Sequence, residues 1–123
     1  MNVVVKTVLV CFDILTKDCK ILMDKYGNLL SLIPETHHSS IEETCRKSIE
    51  SVLKTDASWM PIKFLFFTKY EDDLNIYYGV LVPEQIVSLD DSTYWEKLDK
   101  IINSEDIDED IQKAIWEAVR RIK

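Results

Sequence analysis

Glycine is nearly missing from this chain, with two residues in 123, and proline is scarce at three. With 46% hydrophobic residues alongside, that scarcity excludes a collagen-like, linker-like or disordered protein. Basic residues are also in the minority, 15 against 22 acids, for a net charge of −7. General affinity for nucleic acid needs clustered Lys and Arg, so none is expected, although a local basic site stays open. No apolar run approaches the ~18 residues that a membrane span needs. The apolar run Val3 to Leu15 is broken by Lys6 and Asp13, with no basic segment before it and no small-residue cleavage site after it. It reads as a strand and not as a signal peptide. The cysteines Cys11, Cys19 and Cys45 are odd in number and match no metal-ligand spacing. Cys11 and Cys45 read as small core residues, and a reduced, cytoplasmic compartment is the expectation.

What is present fits one domain with one core over residues 1–123. Val3 to Phe12 is apolar on both faces, as in a strand buried between two layers. Lys20 to Met23 returns as a second strand, and Asp24 to Asn28 is a turn in which Gly27 can take a positive φ. Leu29 to Ile33 is a third run, stopped by Pro34. A helix starts near Ser40, which forms a capping box with Glu43. Its apolar stripe is Ile41, Cys45, Ile49, Val52 and Leu53. Glu42–Arg46, Glu43–Lys47 and Glu50–Lys54 are i,i+4 pairs that mark an outward face. Ile62–Tyr70 and Leu74–Val82 form a hairpin. The unalternating Phe64 to Phe67 places its first strand centrally, and Gly79 marks a bulge or a close backbone approach in the second. Ser92–Asn103 and Asp106–Lys123 read as helices.

Pro34, followed by Ser40-Ile41-Glu42-Glu43-Thr44-Cys45 and by an aliphatic residue at Ile49, resembles the Nudix hydrolase family across nearly the whole chain. Its helix box is G-x5-E-x7-R-E-U-x-E-E-x-G-U, with U aliphatic. The resemblance implies an α/β fold, an α-β-α sandwich with a mixed sheet and helices on both faces. In that register Lys47 stands at the box arginine, and Lys54 at the box glycine. Ser39, Ser48, Ser51 and Val52 stand where the family has glutamates that hold Mg²⁺ or Mn²⁺ for attack of water on a diphosphate. Three serines and a valine cannot supply the charge and oxygen ligands that hard cations need.

The expectation is therefore a catalytically degenerate Nudix-like protein, with no catalytic residue, metal ligand or cofactor. It would act by binding a nucleotide-type molecule or a protein partner. The candidate ligand contacts are His37, His38, Lys47, Ser48 and Ser51. Loop histidines and a lysine suit an anion, but His37 and His38 are adjacent and have no evident third ligand for a metal. An aromatic set, Tyr70, Tyr77, Tyr78, Tyr94 and Trp95, could stack a base or simply be core. One alternative is an active Mg²⁺- or Mn²⁺-dependent hydrolase that uses acids from elsewhere, such as Glu35, Glu71 or Asp72. Another is an acidic interaction or inhibitor protein.

Overall fold

The computed structural model describes residues 2–12, 18–32, 40–54, 56–82, 93–105 and 107–122. Strand β1, Asn2–Phe12, is the axis of a mixed sheet. Its β-branched residues favour an extended backbone, and at 11 residues it is long enough to use three partners. Along one edge it pairs in parallel with β5, Asp73–Leu81, from Asn2↔Asp73 to Val10↔Leu81. Along the other it is shared between two antiparallel strands. Val5 to Thr7 face β3, Leu30–Leu32, and Val10 to Phe12 face β2, Cys19–Asp24. The hairpin mate of β5 is β4, Ile62–Tyr70, and the opposite edge is β6, Thr93–Lys97, so the order is β4-β5-β1-β2-β6.

Helix α1, Ile41–Leu53, covers one face, and α2, Leu98–Ile102, with α3, Glu109–Ile122, covers the other. This is the mixed-sheet sandwich with helices on both faces that the sequence implies. Two cores result. Val5, Leu9, Leu22, Ile76 and Val80 meet Cys45, Ile49, Val52 and Leu53 of α1. Val8, Val10, Ile21, Met23 and Tyr77 meet Ile111, Ala114, Ile115 and Ala118 of α3. Alternation along β1 feeds both, which is why its sequence is apolar on both faces. The longest described helix has 14 residues, and no described helix is long and apolar enough to cross a membrane.

Three expectations are corrected. Strand β4 lies at an edge and not at the centre, and Phe64 and Phe67 are 49% and 62% exposed. Its run fails to alternate because a bulge between Phe64 and Phe66 places Leu65 and Phe66 together against the α3-side core. Residues 93–97 are a strand and not the first turn of a helix, since Trp95 pairs with Leu22 across the sheet. The final helix begins at Glu109, behind Asp108, whose Oδ1 accepts the Asp110 N–H at 2.8 Å.

The capping box is partly realised: Ser40 Oγ accepts the Glu43 N–H at 3.0 Å. At the other end Lys54 is left-handed, with φ 55° and ψ 38°, and its N–H reaches Glu50 O. This is the position of the box glycine, and its backbone is one that glycine adopts without penalty. Lys54→Gly is expected to stabilise the fold by about 0.5–1 kcal/mol, seen as a higher urea midpoint at unchanged slope. A lower midpoint would contradict the cap geometry.

Candidate functional site

The inward polar positions of α1 are built against β1. Thr7, fully buried, sits 3.3 Å from Cys45 Sγ and 3.5 Å from Ser48 Oγ through its hydroxyl. Ser48 is 5% exposed and also donates to the Cys45 carbonyl at 3.0 Å. The three side chains therefore satisfy one another inside the interface. Val52, one turn on, is in the apolar core. Ser48 is thus a buried interhelix–sheet contact, not an exposed donor. Ser51 is exposed and spends its hydroxyl on Ser48 O at 3.0 Å. Lys47 lies on the exposed side of the helix, four residues before Ser51 and on the same flank. Of the candidate ligand contacts, Lys47 and Ser51 are therefore brought together at the surface and Ser48 is turned away. Glu35, His37, His38 and Ser39 lie outside the described residues.

Burial also decides the chemistry of Cys45. Desolvation pushes its thiol up to about 11, against a smaller opposing effect of the Thr7 hydrogen bond. It is a neutral packing group, not a nucleophile. A thiol that ionises at lower pH unfolded than folded favours the native state fully below about pH 9, and this contribution is lost as pH rises toward 11. The expected loss is up to ~3 kcal/mol. Cys45→Ala should flatten that part of the stability–pH curve, measured by urea unfolding. Equal slopes for both proteins would contradict the burial assignment.

At Arg46 and Glu50 the outward face differs from the expected ion pairs. Arg46 donates to the carbonyls of Ala57 and Met60, and Glu50 accepts the Ala57 N–H at 3.2 Å. The two side chains hold the segment that leads into β4, with Ala57 and Met60 buried and Trp59 exposed. Spacing alone suggested Glu42 and Lys54 as their partners. A buried carbonyl pair offers Arg46 two acceptors at once, which a flexible surface carboxylate does not match.

On the flank of α1 that faces β5, Tyr78 is nearly buried and Phe64 meets it edge-on, with ring centroids 5.9 Å apart. Burial raises the Tyr78 phenol, with Glu42 and then Cys45 adding to the shift. Phe64 and Phe67, exposed on this face, are the aromatic surface that the sequence reading missed, because it treated β4 as interior. Of the residues proposed for stacking, Tyr77 is 1% exposed and Trp95 packs on the α1-side core, whereas Tyr70 and Tyr94 are exposed. Glu71 and Asp72 form the exposed β4–β5 turn, where Asp72 O accepts the Asn2 N–H at 2.8 Å. Among the described residues no group of three or more His, Cys, Asp or Glu could hold a metal ion.

No family model and no curated protein matches the sequence. Solved structures do match by fold. NrtR of Shewanella oneidensis superposes with a TM-score of 0.76 and 18% identity, covering 99% of this chain and 64% of that one. The NUDIX domain of the same protein, in a crystal with ADP ribose, superposes at 0.73 and 18% identity, covering 100% of this chain and 89% of that one. A NUDIX-family hydrolase from Clostridium perfringens gives 0.72 and 13% identity, over 99% and 98% of the two chains. The C-terminal domain of mouse MUTYH, in complex with human PCNA, gives 0.76 and 7% identity, over 99% and 90%. The chain spans just under two thirds of the length of whole NrtR. Its fold is Nudix-like, one that hydrolases share with proteins crystallised bound to a nucleotide derivative or to another protein.

Proposed function

We propose that this Nudix-like chain is a binding module that has given up the hydrolase chemistry and takes a nucleotide-type ligand. One observation carries the proposal: two of the α1 positions that would present metal-binding carboxylates, 48 and 52, are packing positions, and the exposed third, 51, holds a serine. Ser48 is closed against Thr7 and Cys45, and Val52 is core. Without carboxylates there, nothing on α1 neutralises a diphosphate through a divalent cation or lowers the pKa of a bound water. A Mg²⁺ or Mn²⁺ ion would find no ligand set in the Ser48 and Ser51 hydroxyls, which already have partners. Lys47 supplies the positive charge on this helix flank, with Ser51 beside it, as an anion contact that needs no metal. The ADP-ribose complex of the NrtR NUDIX domain supports a nucleotide derivative as the ligand class.

A protein partner is the second reading. It is favoured by Phe64 and Phe67, exposed on edge strand β4, since exposed aromatics anchor many interfaces. General nucleic-acid binding is not proposed, given the net charge of −7.

The test is an assay of phosphate or nucleotide release from nucleoside diphosphate derivatives with Mg²⁺ or Mn²⁺, run beside melting in the presence of ADP-ribose. The proposal predicts no turnover, and a rise in melting temperature that Lys47→Glu removes. Turnover that falls on Glu35→Gln or Asp72→Asn would overturn it in favour of a hydrolase with non-standard acids.

A further inference from the structure

On the α3 side of the sheet, away from α1, a cavity of about 210 Å³ opens between the β2–β3 turn, β6 and α2. Its floor is Met23 and Ile101, 1% and 2% exposed, and its walls include Tyr26 and Tyr94. Both tyrosines are well exposed, at 77% and 42%, so their rings are presented to solvent. The turn that carries Tyr26 is firmly built. Asp24 Oδ1 accepts the N–H groups of Tyr26 and Asn28 at 2.8 and 2.9 Å, and Gly27 supplies the positive φ of 80°. Tyr94 and Glu96 share one face of β6, two residues apart.

The cavity lining carries one charge of each sign, Lys100 and Glu96, where the molecule as a whole is acidic. Lys100 lines the cavity and Lys25 places its Nζ 5.2 Å from the Tyr26 ring centroid, and neither is in an ion pair among the described residues. Asp24 is engaged within its turn. Glu96 has one oxygen on the Lys97 N–H at 3.1 Å and a second left to accept a donor. The cavity is larger than the ~150 Å³ that holds benzene and smaller than the ~300 Å³ at which drug-sized ligands begin.

We propose that this cavity is a second binding site, for a small aromatic ring carrying an anionic group. The ring lies on the Met23–Ile101 floor between Tyr26 and Tyr94, the anion meets Lys100, and a ring-edge donor meets Glu96. Apolar floor, aromatic walls and a few polar groups are the composition of small-molecule pockets in general. The site stands on neither Lys47 nor any residue of α1, so it is independent of the nucleotide reading.

The test is a protein-observed NMR titration of the full chain with 4-hydroxyphenylacetate at millimolar concentration. Saturable shifts should be centred on the β2–β3 turn, β6 and α2. Tyramine, with the same ring and the opposite charge, and cyclohexylacetate, with the same charge and no aromatic ring, should each bind roughly tenfold more weakly or worse. Lys100→Glu should weaken 4-hydroxyphenylacetate by a similar factor, Tyr94→Ala should abolish its binding, and Tyr94→Phe should retain it in a spectrum otherwise unchanged. ADP-ribose binding should be indifferent to all three substitutions. No saturable shift, equal binding of tyramine, or indifference to both Tyr94→Ala and Lys100→Glu would overturn the proposal.

Discussion

Restoring the family's carboxylates with Ser48→Glu and Val52→Glu is expected to cripple the fold and not to build a metal site. Val52 is 7% exposed within the α1-side core, and Ser48 is enclosed with Thr7 and Cys45. A carboxylate forced there loses its hydration without gaining a cation or a set of donors, and it must either be protonated or expel the helix. Val52→Glu alone should cost about 4 kcal/mol or more, a large part of the ~5–15 kcal/mol that holds a typical domain together. Val52→Ala, which loses only methyl groups and leaves a small cavity, should cost roughly 2 kcal/mol. The difference between the two isolates the charge. Urea unfolding measures both. If the double variant instead stays folded and Mn²⁺ raises its melting temperature, these positions face a usable site and the packing account is wrong.

Gly79→Val is the second large effect expected, of about 3 kcal/mol. A Cβ at Gly79 would lie 3.2 Å from Ala118 Cβ and 3.3 Å from a terminal carbon of Leu65. Leu65 can turn aside, but Ala118 cannot move unless α3 moves with it. That helix packs on β5 through Ala114, Ile115 and Ala118, so its displacement would loosen the α3-side core. Gly79→Ala should cost less, about 1 kcal/mol, because the clash is a few tenths of an ångström. Ala118→Gly should return part of the loss in the Gly79→Ala background, and the coupling in that double-mutant cycle identifies the contact. Additive costs would place the strain elsewhere.

Gly79 also shows what was legible in the sequence. A glycine inside an apolar strand asks for a close approach, and a helix supplies it. The capped start of α1, its apolar stripe and the doubly apolar β1 were equally local signals, each carried by residues within a turn or two of one another. Failure came where the deciding partner was distant or where two periods coincided. Trp95 and Leu98 are three apart, as on a helix face, but Trp95 answers to Leu22 across the sheet. Phe64 to Phe67 looked central because a bulge breaks alternation in the same way that burial on two sides does. The pairing needed to tell them apart lies in β5.

The candidate site was legible only as an absence. The sequence could say that no glutamate stands at positions 48, 51 and 52, since residue identity is all that this requires. It could not say that Ser48 has a partner in Thr7, because the two are 41 residues apart. Nor could it say that Arg46 and Glu50 turn to the Ala57–Met60 segment, because the local i,i+4 pairs satisfied the same charges on paper.

The inward face of α1 as sealed packing, and not as a cation site, can be tested by titrating Mn²⁺ into the isotopically labelled protein and following paramagnetic broadening of amide signals. The inward residues Thr44, Cys45, Ser48, Ile49 and Val52 should keep their intensities at Mn²⁺ concentrations that saturate ordinary carboxylate sites, with any broadening centred on exposed acids such as Glu71 and Asp72 of the β4–β5 turn. Selective, saturable loss of the Ser48 and Val52 signals would place a metal against the helix and contradict it.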